Sequence, residues 1–131
     1  MFEILPVEDK KEQKKLTELC GHPYFEELLA YQAIVEGEFC GLCQFEVKKE
    51  GGRIATFGWL PEKYAFEPIF IMGRAALNFI DLCGVHNAFF DAPGVDETLV
   101  KAIGFHKNAD GRYEVDLTDF FKEPCKHRKT E

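Results

Sequence analysis

Cys40 and Cys43 are the first residues whose types and spacing invite chemistry, since a C-x-x-C pair can bind a metal or cycle through a disulfide. They lie in EFCGLCQFEV, whose alternation reads as a strand, and residues three apart on a strand face opposite ways. No second C-x-x-C and no spaced histidine pair follows, so the cysteines are read as structural and no metal site is expected. With Cys20, Cys83 and Cys125 the count is five, an odd number that does not describe a disulfide framework. Cys83 and His86 would supply a thiol and a base, but they flank a helix terminus and nothing orients the imidazole. The basic end of the chain, KEPCKHRKTE with His127, is too short for more than a weak contact site.

The chain that must position any site has 131 residues, 46% of them apolar and 30% charged, which describes one globular domain able to bury a core. Thirteen phenylalanines make that core aromatic. The net charge of −7 disfavours nucleic acid as a partner and is compatible with a cationic substrate such as an amine. No apolar run reaches the roughly 20 residues of a membrane span. MFEILPVEDKK has no basic region leading into an apolar stretch, so no secretory signal and a cytoplasmic location are expected.

Phe2 to Val7 suits a short first strand stopped at Pro6. Glu8 to Cys20 reads as a helix, with Leu16 and Leu19 on a narrow apolar stripe and Gly21 as its stop. His22-Pro23 is a break, and Tyr24 to Leu29 reads as a second short helix. An antiparallel meander follows over Ala30 to Val35, Phe39 to Lys48 and Arg53 to Leu60, with turns at Glu36-Gly37-Glu38 and Glu50-Gly51-Gly52. On its middle strand Phe39, Gly41, Cys43, Phe45 and Val47 share one face. From Ile69 to Cys83 the period becomes helical, with Met72, Ala76, Phe79, Ile80 and Cys83 on one side and Gly84 as the end. His86 to Phe90 is a short buried strand. Asp96 caps a helix carrying Leu99, Val100 and Ile103; Gly104 stops it and Phe105 packs back on its last turn. Asn108 to Gly111 turns into a final strand in which Tyr113, Val115 and Leu117 alternate with Arg112, Glu114 and Asp116. The sum is an α+β domain with a mixed, mostly antiparallel sheet over residues 1–121, followed by a basic, frayed tail over 122–131.

Three segments in this order carry a resemblance. Ala55 to Leu60 followed by Pro61-Glu62, then GRAALNFIDLCG, then LVKAIGFHKNADGRYEVDL are similar to the fourth strand, the cofactor-facing helix, and the closing helix and hairpin of the GNAT family of N-acyltransferases. The resemblance spans roughly Phe2 to Phe120 and implies a GNAT-like, three-layer acyl-CoA N-acyltransferase fold. It implies an acyl-CoA-dependent N-acyltransferase, acetyl-CoA as co-substrate, and an amine of a small molecule or peptide as acceptor. A homodimer is compatible with it. The alternative is a catalytically degenerate GNAT-like domain that binds a ligand or another protein.

In that family acyl-CoA wedges between the fourth and fifth strands, with its pyrophosphate at a helix N-terminus. The positions matching the pantetheine contact are Phe57, Gly58, Trp59 and Leu60. The family's phosphate loop, Gln/Arg-x-x-Gly-x-Gly/Ala, falls near Tyr64 to Ile71, where the chain reads YAFEPIFI. No glycine is present, Glu67 adds a negative charge, and Pro68 removes a donor. Met72, Gly73 and Arg74 follow and are the substitutes expected: Gly73 would admit a phosphate to the backbone and Arg74 would offer a charged fork. They read equally as part of a packed helix. The family's frequent Tyr general acid, four residues before the GF glycine, is Val100 here. Acyl transfer still needs a proton acceptor and donor. The remaining candidates are Glu46, His86, Asp91 and Tyr113, each of which also has an ordinary role as a cap, surface or packing group.

Overall fold

The computed structural model describes residues 1–121, so the expected tail over 122–131 lies outside the described residues. The described residues form seven strands and three α-helices: β1 (Phe2–Pro6), α1 (Lys10–Leu19), β2 (Leu29–Val35), β3 (Glu38–Lys48), β4 (Gly51–Trp59), α2 (Phe66–Leu82), β5 (Asn87–Phe90), α3 (Glu97–Ile103), β6 (His106–Lys107) and β7 (Tyr113–Asp116). The strands make one sheet in the order β1-β2-β3-β4-β5-β7-β6. Every pairing is antiparallel except β4 with β5. α1 packs on one face and α2 and α3 on the other, which gives the three layers expected.

The main core lies between the sheet and α2 and α3. α2 buries Ile69, Met72, Gly73, Ala76, Leu77 and Ile80, the spacing of one helical face. They meet Cys43, Phe45, Ile54 and Phe57 from the sheet and Leu99, Val100 and Ile103 from α3. α3 stops at Gly104, whose φ of +134° is a conformation that L side chains rarely adopt, and Phe105 then folds into the core. A smaller cluster under α1 joins Val7, Leu16, Ala30 and Leu42.

Four local expectations change. Tyr24 to Leu28 is loop and turn leading into β2 at Leu29, with no second helix between α1 and β2. The β3–β4 turn is Lys49-Glu50, because Lys48 already pairs with Gly51. Phe39 packs with the α1-side cluster rather than with Gly41 and Cys43, because a bulge opposite Ala33 and Ile34 inserts one extra residue into β3. α2 begins at Phe66, three residues before the apolar period does, so Glu67 and Pro68 sit in its first turn, where a proline is tolerated.

Candidate functional site

β4 and β5 pair only from Gly52↔Ala88 to Ile54↔Phe90, and the last bond of the contact runs from the Asp91 N–H to the Ile54 carbonyl. Beyond it the strands part. A second bulge marks the place: Gln44 faces Thr56 and Phe45 faces Ile54, which leaves Ala55 as the extra residue in β4. The remainder of β4 therefore has β3 on one side and an open wedge on the other. Leu60 donates its N–H to the Cys40 carbonyl at 2.9 Å, so by alternation Gly58 and Thr56 also turn their peptide groups toward β3. Phe57 and Trp59 turn theirs into the wedge. Of the four positions matched to a pantetheine contact, Trp59 lines the cavity there, Phe57 turns its peptide groups away from β3 at the buried root of the wedge and is 1% exposed, and Gly58 and Leu60 spend theirs on the sheet.

The mouth of the wedge is a cavity of 290 Å³ lined by Trp59, Tyr64, Phe66, Asp96, Thr98 and Leu99. The Trp59 and Tyr64 rings lie 4.9 Å apart, and Phe66 stacks on Phe70. Tyr64 and Phe66 are nearly half exposed. Asp96 holds the N-cap position of α3 without a side-chain cap bond, so its carboxylate stays available to the cavity.

The end of the wedge beside α2 is not a phosphate cradle. The backbone N–H groups of the first turn without an intrahelical partner are those of Phe66 and Glu67; Pro68 has none, and Ile69 bonds back to Ala65. Met72, Gly73 and Arg74 are placed elsewhere. Met72 is fully buried in the core. A Cβ on Gly73 would stand 2.7 Å from Ile103 Cδ1, so this glycine serves the close crossing of α2 and α3. Arg74 donates Nε to the Ile103 carbonyl at 2.5 Å and lies between the Phe70 and Phe120 rings, 4.8 and 4.9 Å away. It caps α3, and burial lowers its pKa. Lys63 is bound to Glu38, which raises the lysine's pKa and lowers that of the carboxylate.

The acid-base candidates do not converge on the wedge. Glu46 accepts from Arg53 Nε at 2.8 Å. Asp91 takes a two-pronged bond from Arg112 at 3.1 and 2.8 Å, with Arg53 Nη1 at 3.8 Å, so both carboxylates belong to one ion-pair chain. The Arg112 guanidinium also lies 3.9 Å from the centre of the Phe89 ring. His86 bonds Asp81 at 2.7 Å at the C-terminal end of α2, the end of the sheet opposite the wedge. Tyr113 is near Glu97 of the first turn of α3, and its pKa is raised by burial and then by that carboxylate. Val100 is 2% exposed and belongs to the core. The two C-x-x-C thiols have separate neighbours: Cys40 Sγ donates to the Lys63 carbonyl, and Cys43, pushed by burial up to about 12, packs by Tyr31.

One residue of the site had no motif to announce it. His22 lies directly on Gly58: a Cβ there would meet His22 Cδ2 at 2.6 Å and Nε2 at 2.8 Å. This puts an imidazole on the α1 face of β4, between the two residues that open into the wedge. Its loop is fastened by a buried amide. Gln44 Oε1 accepts from Gln13 Nε2 and the Phe25 N–H, and Gln44 Nε2 donates to the Pro23 carbonyl and Thr56 Oγ1, all between 2.9 and 3.0 Å. The only local signal was a histidine in the break after Gly21.

No protein-family model and no curated protein sequence matches the chain. Solved structures do. The ribosomal-protein-S18-alanine N-acetyltransferase of Escherichia coli superposes with a TM-score of 0.67 at 13% identity, over 90% of this chain and 95% of that one. The PaiA N-acetyltransferase of Thermoplasma acidophilum, solved with coenzyme A, gives 0.63 at 12% identity over 88% and 99%. A chimeric spermidine N-acetyltransferase from Vibrio cholerae gives 0.66 at 10% identity over 92% and 98%. At these identities the likeness is one of fold, and the fold is that of the GNAT N-acetyltransferases.

Proposed function

We propose that this GNAT-fold chain is an N-acyltransferase that takes the acyl group of a pantetheine thioester, acetyl-CoA among them, and transfers it to an amine of a small molecule or peptide in the cytoplasm. The observation that supports it is the parting of β4 from β5, which leaves Trp59 lining an aromatic-walled cavity and the Phe57 peptide groups unpaired by β3 at its buried root. An extended amide-bearing arm can add there as a partial strand. In the reaction the amine nitrogen bonds to the thioester carbonyl carbon, the C–S bond breaks, and the proton lost by the amine balances the departing thiolate as a free thiol. The Phe57 N–H donates to the carbonyl oxygen as charge gathers on it. The Trp59 peptide groups pair with the arm. His22, on the acceptor side of β4, takes the amine proton, since Glu46 and Asp91 are committed to Arg53 and Arg112.

A second reading, a domain that binds its ligand without turning it over, is favoured by the burial of Val100 where the resemblance implies a tyrosine acid. The two are separated by acetyl-CoA. Trp59 is the only tryptophan and lines the wedge, so its emission reports binding directly. Occupancy at a hundred times Kd stabilises the fold by about 2.7 kcal/mol. An emission change and a raised melting temperature, together with thiol release that depends on added amine, support the enzyme. Binding without release supports the second reading, and no response at millimolar acetyl-CoA overturns both.

A further inference from the structure

The residues of the wedge fit one half of acyl-CoA and not the other. Along β4 the peptide edges of Phe57 and Trp59 that β3 leaves unpaired, and the rings of Trp59, Tyr64 and Phe66, suit a neutral, extended, partly apolar arm. Where that arm would hand over to a diphosphate, the chain presents carboxylates. Glu62 is exposed in the turn after β4, Glu67 stands in the first turn of α2, and Asp96 lines the cavity. Among the described residues, the cations near this end are engaged: Lys63 with Glu38, Arg74 with the Ile103 carbonyl. No glycine lies between Gly58 and Gly73, and Pro68 withholds one of the amides that a helix N-terminus would offer a phosphate. Like charge at short range opposes a phosphate group, and nothing among the described residues here offsets it.

From this we infer that the donor is recognised by its acyl-pantetheine arm alone. The 3′-phosphoadenosine diphosphate half of CoA stays outside in solvent and adds no affinity. Specificity then resides in the thioester and its two amides, and a bare acyl-pantetheine thioester is as good a donor as the full acyl-CoA. This inference rests on the wedge holding a thioester, as proposed above.

The test titrates Trp59 emission, with melting temperature in parallel, using acetyl-CoA, S-acetylpantetheine and adenosine 3′,5′-bisphosphate. The two thioesters are expected to bind within about threefold of each other, and the bisphosphate to neither change the emission nor displace them. Acetyl-CoA binding about tenfold or more tighter than S-acetylpantetheine, or displacement by the bisphosphate, overturns the inference while leaving the wedge as an acyl-CoA site. If neither thioester binds, the functional reading falls and the inference with it. The double variant Glu62→Gln/Glu67→Gln gives an independent check. It should tighten acetyl-CoA about threefold and leave S-acetylpantetheine unchanged. An equal change for both ligands, or none for either, would mean that the carboxylates do not act on the phosphates.

Discussion

Gln44 is the side chain that fastens the His22 loop to the α1 face of β4, and the cost of replacing it with methionine follows from its contacts. The amide is fully buried and makes four hydrogen bonds, which uses both donors and both acceptor positions. Each such bond contributes a net of about 1 kcal/mol, so four lost bonds cost about 4 kcal/mol. Methionine has nearly the same length and returns about 1 kcal/mol through its apolar burial. Gln13 keeps weaker contacts to the Leu28 and Phe25 carbonyls at 3.3 and 3.4 Å, whereas the Phe25 N–H and the Pro23 carbonyl lose their partner. Gln44→Met should therefore lower the unfolding free energy in urea by about 3 kcal/mol, with little change in slope. Because Gln13 and Gln44 share a bond, the double variant with Gln13→Met should cost less than the sum of the two singles, by about 1 kcal/mol or more. A loss below about 1 kcal/mol for Gln44→Met, or strict additivity, would refute the claim that this network fastens the His22 loop to the sheet.

Gly73→Ala gains helix propensity but pushes a methyl into Ile103, so calorimetry should show a loss of about 1–2 kcal/mol. Adding Ile103→Ala should remove that penalty relative to Ile103→Ala alone. Gly58→Ala sets a Cβ against the His22 ring, and is expected to displace the imidazole and lower amine-dependent thiol release more than it weakens thioester binding. Burial raises the Cys43 thiol to about 12 and the Cys20 thiol to about 11 from 9.0, so each is harder to ionise folded than unfolded. Their stabilising effect is complete below about pH 9 and is lost as pH rises through 11 and 12. Urea midpoints should accordingly fall above pH 9, and Cys43→Ala should flatten that fall. Alkylation at pH 8 should reach exposed Cys83 well before buried Cys43.

The architecture was legible wherever its causes are local. The closing helix shows Asp96, the apolar triad Leu99, Val100 and Ile103, and a glycine stop, all within a few residues of one another. What sequence could not show depends on distant partners. Arg74 reads as a free guanidinium until the Ile103 carbonyl, 29 residues away, is seen to hold it. The loop and turn over Tyr24 to Leu28 have helix-forming residues, but Gln44, on β3, takes the Phe25 N–H and the Pro23 carbonyl. Bulges opposite the Ala33/Ile34 step and at Ala55 are register events that leave no local signature, and the second of them sits where β4 leaves β5. His22 shares the limitation: only the fold lays it on Gly58. Glu67 and Pro68 are the converse case, since two residues sufficed to mark a departure from the phosphate-loop pattern of the resemblance and the structure adds where they stand.

The central claim is that a thioester arm lies along the open edge of β4, and amide NMR tests it residue by residue. With ¹⁵N-labelled protein titrated with S-acetylpantetheine, the Phe57 and Trp59 amide resonances should shift in a saturable way, while those of Gly58 and Leu60, bonded within the sheet, and of Glu67, beside the absent phosphates, move little. Saturation with the Phe57 and Trp59 amides unmoved, or with the largest shifts at the α2 N-terminus, would contradict it.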